Sequence, residues 1–356
     1  MLLEGLHIPL TTTFHPDGRL NLPKLAANVV RYSKSAAAGL LVLGPSGEPT
    51  LLLDEETSEV LHAAAQAATP EKVLLAGISR SSVRATLALA ELTAELLYDA
   101  VLIGVPSVLP TGSPDAAAAS RRELLLYFQT IADRSPLPVV LFSSRDRRIP
   151  LDATVELAAH PRILGLLDAA DSPAEIEAIL LRTAAIKRDV TVTPVFAAVT
   201  ERMKAAATHA SASFVSADSL FAKPSADASV VAETQPTPPL RTRTKSVGFQ
   251  IIAAHAPKLL DALNAGAVGA APAFAAAAPQ ACYEVLAAWK DDDQPLAEEK
   301  QTRLVEAARL AETSPGSLKF ACDLNGYFGG LPRLPQLPPT GEQRAAIEQI
   351  MKPIRN

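Results

Sequence analysis

Apolar residues in this chain fall into short unbroken blocks of strand length, separated by longer stretches in which they recur every three or four positions. The blocks are GLLVLG at 39–44, KVLLAG at 72–77, DAVLIG at 99–104, LPVVLF at 137–142 and RILGLL at 162–167. Another lies near GLHIPLTT at the start, and two more follow, FQIIAAH at 249–255 and AVGAAP at 267–272. The stretches between them open with helix-starting residues: Asp54, Ser81, Ser113 with Pro114, and Ser172 with Pro173. Strand, helix and strand at this spacing imply parallel pairing with right-handed crossovers. Eight such units close into a (β/α)8 barrel, an α/β fold. The competing architecture, an open doubly wound sheet, usually carries a glycine-rich phosphate turn after its first strand, and TTTFHPDGRL has none.

One interval breaks the rhythm. Between the sixth helix, ending near Lys187, and the seventh strand lie roughly sixty residues where a few would suffice. This insertion at about 188–247 has two halves. The first, TPVFAAVTERMKAAATHA, has a helical pattern and either lengthens the sixth unit or packs beneath the barrel. The second, rich in Pro, Ser and Thr, offers no apolar periodicity, so residues 222–246 are expected to be mobile and outside the core. After the eighth strand come helical patterns at 279–290, 298–313, 318–327 and 341–351, more than a barrel needs. The expected division is a barrel over 1–278 and a C-terminal helical region over 279–356.

Composition narrows the partners. With 356 residues, 48% of them hydrophobic, the chain can bury the core of a single barrel with additions. A net charge of -5 argues against a polyanion-binding surface, so no nucleic acid is expected. Cys282 and Cys322 stand far apart and outside any metal-ligand spacing; no disulfide, metal or other cofactor is implied, and a reducing cytoplasm fits. No run of about 18 apolar residues occurs, and MLLEGLHIPL is not a signal sequence, so the chain is expected to be soluble, unprocessed and free of the membrane.

The order and spacing of several segments resemble the pyruvate-dependent class I aldolases typified by dihydrodipicolinate synthase and N-acetylneuraminate lyase. GLHIPLTTTFHPDGRLN resembles the first strand and turn of that family, and GLLVLGPSGEPTLLLDEE its second strand and substrate-carboxylate loop. LPVVLFSSRDRR is similar to its fifth strand, HPRILGLLDAADS to its sixth, and LKFACDLNGYFGGLPRLPQLPPTGEQ to its C-terminal helices. The resemblance implies a lyase (aldolase) fold with C-terminal helices, assembly as a homo-oligomer (dimer or tetramer), and a site at the C-terminal ends of the strands. The chemistry it implies requires a desolvated strand-end lysine that forms a Schiff base with a keto acid. Leu167 occupies that position. The family's proton-relaying tyrosine is replaced by Phe142, and a further tyrosine corresponds to Val108. In GPSGE (44–48), Pro45 lacks both the hydroxyl and the N–H of the family's threonine, Ser46 keeps a hydroxyl, and Gly47 and Glu48 complete the loop.

The remaining polar candidates each have two readings. Glu48 is an acid or base or, preferably, a residue that holds its loop through backbone N–H groups. Strand alternation turns Asp168 away from the barrel axis, where it is expected to cap the sixth helix. Arg147 suits a substrate carboxylate through paired hydrogen bonds, yet Arg145 and Arg148 beside it equally describe a solvated basic loop. His255 is a neutral general base or a satisfied loop histidine. Lys258, three residues on, is the lysine nearest the active face. Two functions survive. One is a lyase-family pseudoenzyme that serves as a binding or assembly subunit; the other is an enzyme acting on a small keto acid or other carboxylate through Ser46, Arg147 and His255.

Overall fold

The computed structural model describes residues 1–109, 117–169, 172–211 and 240–354. Strands are numbered in chain order. A closed parallel barrel runs β1 (Gly5–Pro9), β2 (Gly39–Val42), β3 (Val73–Gly77), β4 (Ala100–Gly104), β5 (Val139–Ser143), β6 (Ile163–Asp168), β9 (Gln250–Ala253) and β10 (Gly269–Ala270), with β10 pairing back to β1. The expected (β/α)8 class is the observed one, and each barrel strand overlaps an expected block, with β5 and β6 running one residue past theirs. The two intervening strands, β7 (Arg188–Val192) and β8 (Arg243–Val247), form a separate antiparallel ribbon.

Alternation along the barrel strands sorts side chains into two buried layers. Leu41, Leu75, Leu102, Val140, Leu167 and Ile252 fill the barrel interior. Leu40, Leu74, Val101, Leu141, Leu166 and Ile251 face outward into the larger core beneath the helices. That outer core is closed by α1 (Leu22–Ser33), α2 (Asp54–Ala67), α3 (Val83–Glu95), α4 (Ala117–Arg134), α5 (Leu151–Ala158) and α6 (Pro173–Arg182). Their starts follow ordinary capping chemistry with small shifts from expectation. Ser82, rather than Ser81, accepts the Ala85 N–H at 3.2 Å, and Leu53 rather than Asp54 precedes α2, leaving Asp54, Glu55 and Glu56 to complement the helix N-terminus. Ser113 lies outside the described residues.

The inserted segment turns under the barrel, at the end opposite the strand C-termini. Val190, Val192 and Val247 of the ribbon bury against Leu2. The helix α7 (Glu201–Ser211) is tied to strand N-terminal ends: its Glu201 N–H donates to Asp99 Oδ1 at 2.7 Å, Arg202 donates to the Ala68 carbonyl at 3.2 Å, and Thr200 just before it donates to the Pro70 carbonyl. Of the stretch expected to be mobile, residues 222–239 lie outside the described residues. Its final part is a strand whose residues 243–246 lie outside the core: Arg243–Val247 pairs with β7 and Lys245 forms an ion pair with Glu4. The partner strand that satisfies its backbone lies about fifty residues earlier, beyond the reach of local periodicity.

Past β10, α8 (Leu259–Asn264) already lies behind, and α9 (Pro279–Lys290) supplies the last helix against β1. Then come α10 (Gln294–Ala311), α11 (Pro315–Leu324) and α12 (Gly341–Met351). Two of these begin earlier than their apolar periodicity suggests because Asp293 and Ser314 cap them and Pro295 and Pro315 occupy the first turn, where a missing N–H costs nothing. Among the described residues no helix is long and apolar enough to cross a membrane.

Candidate functional site

The C-terminal ends of β2 to β5 surround a cavity of about 290 Å³, and its walls include Pro45, Glu48, Ser79, Phe142, Ser144 and Arg147. Its first wall depends on a tight chain reversal after β2. Leu43 adopts a left-handed φ of 55°, and a Cβ placed on Gly77 would lie 2.1 Å from the Leu43 carbonyl oxygen; only glycine lets β3 pass that close. A 3-10 turn, Pro45–Gly47, follows, with its last carbonyl receiving the Thr12 hydroxyl at 2.6 Å.

Glu48 comes next, also left-handed with φ 53°, a conformation that costs a non-glycine residue about 1–2 kcal/mol. Its carboxylate explains how the loop keeps that shape. Oε1 forms an ion pair with Lys319 of α11, both side chains essentially inaccessible, and Oε2 accepts the Arg333 N–H at 3.1 Å. Lys319 also donates to the Leu331 carbonyl at 3.1 Å and lies 4.4 Å above the Phe14 ring. Burial pulls the Lys319 amine below its ordinary pKa, against the opposing pull of the Glu48 charge. On the same ring, 4.5 Å away, sits the Arg333 guanidinium, which grips Glu56 through two bonds of 2.5 and 2.6 Å and holds that carboxyl below the usual range. Glu48 is therefore anchored by a buried cation and one backbone N–H, both contributed by the C-terminal region.

The opposite wall is β5. Phe142 faces into the barrel and pairs in register with Leu167, which in turn pairs with Ile252. Leu167 is 2% exposed and packed within the barrel interior below the cavity. Arg147 reaches the cavity, but its guanidinium donates to the carbonyls of Pro106 (3.2 Å), Leu109 (3.1 Å) and Ser107 (3.1 Å). Neither sequence reading foresaw this use as a brace for the loop after β4.

The other candidates are not gathered there. Val108 is 65% exposed on that loop, and Ser46 and Gly47 sit within the 3-10 turn behind Pro45. His255 lies across the barrel, where a narrow crevice brings it near Asp168, Lys258 and Pro173; its Nε2 is 3.4 Å from Arg145 Nη2. Lys258, half exposed, pairs with Asp261 at 3.0 Å. Asp168 does turn outward and is buried, but the residue that caps α6 is Ser172, whose hydroxyl accepts the Glu175 N–H at 3.3 Å. Ser172 Oγ sits at the N-cap position, four residues beyond Asp168.

Sequence reasoning missed Lys319, Arg333, Ser79, Ser144 and Gln336. Only Lys319 left a trace, three residues before Cys322 on the apolar face of its helix, and its partner is 271 positions away.

Among the described residues no group of His, Cys, Asp and Glu is arranged to hold a metal. Comparison with known proteins is consistent across sequence and structure. The family model described as Dihydrodipicolinate synthetase family matches residues 2–200. A 4-hydroxy-tetrahydrodipicolinate synthase of Xanthomonas axonopodis pv. citri is 31% identical over 185 residues, which is 51% of this chain and 58% of that protein. The chain thus matches little more than half the length of that relative at this level. One from Acidiphilium cryptum is 25% identical over 358 residues, 98% of each chain. The solved dihydrodipicolinate synthase DapA-2 of Bacillus anthracis superposes over the whole of both chains with a TM-score of 0.75 at 18% identity, a likeness of fold.

Proposed function

Because this chain belongs to the dihydrodipicolinate synthetase family, we propose that it is a member without Schiff-base catalysis that serves as a binding or assembly subunit. The observation that carries the reading is Leu167: an apolar side chain packed between Phe142 and Ile252 where the resemblance calls for an amine, with no lysine among the described residues that line the cavity. Phe142 cannot relay the protons exchanged as a carbinolamine dehydrates, and Pro45 removes a donor near the expected substrate carboxylate. The lysines within range are otherwise engaged, Lys258 with Asp261 and Lys319 with Glu48. An enzyme acting on a keto acid or other carboxylate through Ser46, Arg147 and His255 is less well supported, because His255 stands outside the cavity and Arg147 is held by three carbonyls. Two free, buried cysteines suit a reducing cytoplasm.

Borohydride reduction in the presence of pyruvate, followed by intact-mass measurement, is expected to leave the mass unchanged. A pyruvyl adduct sinks the reading, with Lys258 the first residue to examine. Leu167→Lys is expected to restore only a small share of aldolase turnover, since catalytic groups act as a unit.

The assembly role follows from the family resemblance, and Leu126 of α4 at 63% exposure and Leu181 of α6 at 78% are apolar side chains that a subunit contact would cover. Light scattering is expected to give a dimer or tetramer. A monomer at micromolar concentration contradicts the assembly role.

A further inference from the structure

We infer that the cavity at the barrel mouth takes a small neutral ligand carrying a carbonyl beside an amide or hydroxyl group, in place of a carboxylate. The inference rests on the reading of the chain as a non-catalytic binding subunit and names what it binds.

Charge supplies the first argument. The cationic group that reaches the cavity, the Arg147 guanidinium, directs three of its five N–H donors at the carbonyls of Pro106, Ser107 and Leu109 at 3.1–3.2 Å. The carboxylate in its wall, Glu48, is neutralised from behind by Lys319, which is wholly buried and outside the lining. An entering anion would therefore lose its hydration beside a carboxylate already paired and meet a guanidinium directed at loop carbonyls, which offers it less than a free arginine would. A neutral molecule of the same shape avoids that loss.

Hydrogen-bonding capacity supplies the second. Ser79 Oγ accepts the Gly104 N–H at 2.8 Å and Ser144 Oγ accepts the Arg147 N–H at 3.0 Å. Each hydroxyl accepts one N–H and still has its proton to donate, and both residues line the cavity. From the C-terminal region, Gln336 reaches the same space, and its Oε1 is buried with no hydrogen-bond partner. A donor on the ligand would supply that buried amide oxygen with its hydrogen bond. The demand is for acceptors toward two serines and a donor toward Gln336, over an apolar floor of Leu102 and Phe142. A 2-oxo amide meets it, and the volume of about 290 Å³ holds a molecule of that size.

Pyruvamide and pyruvate share one shape and differ by an uncharged NH2 against a charged oxygen, so their comparison isolates the charge. Titration calorimetry on the full chain is expected to give pyruvamide a Kd at least tenfold lower than pyruvate. Gln336→Leu and Ser144→Ala, each checked for native circular dichroism, are each expected to weaken pyruvamide by about tenfold. Pyruvate binding as tightly as pyruvamide, no binding of either, or pyruvamide affinity unchanged in both variants overturns the inference. The two readings fail differently: a preference for pyruvate without a borohydride-trapped adduct overturns this inference alone, whereas an adduct overturns the non-catalytic reading as well.

Discussion

Lys319→Met is expected to destabilise the protein by about 3–5 kcal/mol, because it leaves the Glu48 carboxylate buried without its counter-ion. The loss should be felt at both ends of the contact. Glu48 holds a left-handed loop residue at the barrel mouth, and Lys319 gathers the Leu331 carbonyl and the Phe14 ring around α11. Adding Glu48→Gln is expected to recover much of the loss, since a neutral amide oxygen can still accept the Arg333 N–H at the 3.1 Å contact while no charge remains buried. Urea unfolding of the wild type, both single variants and the double variant forms the required cycle. A Lys319→Met variant within 1 kcal/mol of wild type, or additive single effects, would show that the pair is not coupled as described.

Acid stability should depend on two buried groups of opposite sign. His7 points into the barrel interior, fully buried, with Nε2 3.0 Å from the Leu3 carbonyl; burial lowers its pKa from 6.5 to about 4. Between those values the unfolded chain binds a proton that the folded chain refuses, so about 3 kcal/mol of stability is lost as pH falls from 6.5 to 4. Asp99 does the reverse. Burial raises its pKa from 3.8 to about 6, despite the N–H groups of Leu74 at 2.8 Å and Glu201 at 2.7 Å. The folded chain then takes up a proton first, which adds about 3 kcal/mol as pH falls from 6 to 3.8. In the wild type the two nearly cancel. His7→Gln is therefore expected to gain stability relative to wild type on going from pH 6.5 to 4, and Asp99→Asn to lose it, each by about 3 kcal/mol. Urea midpoints at the two pH values measure both; parallel pH profiles for the wild type and the two variants would rule the mechanism out.

Much of this was legible along the chain. Apolar blocks bounded by helix starts located all eight barrel strands, because an element buried on both faces must be apolar throughout whatever its neighbours are. The absence of an amine at Leu167 and of a phenol at Phe142 could be read directly, since they concern which atoms exist. Directions and partners could not. Ile163 faces the outer core, and unbroken alternation from it would turn Leu167 outward too; the register shift between β5 and β6 reverses the phase and sends Leu167 inside. Arg147 read as a carboxylate ligand or a solvated charge, and three loop carbonyls claimed it.

The same limit governs the loop around Glu48. Its conformation is maintained by Lys319 and Arg333, more than 270 positions away, and by a ring that lies elsewhere again, at Phe14. Periodicity and capping are local properties, determined by backbone geometry within a few residues, so the sequence by itself determined the elements and their order. Ion pairing, cavity shape and the buried fraction of each titratable group arise only when distant segments exclude water from one another, and those the tertiary structure alone decided.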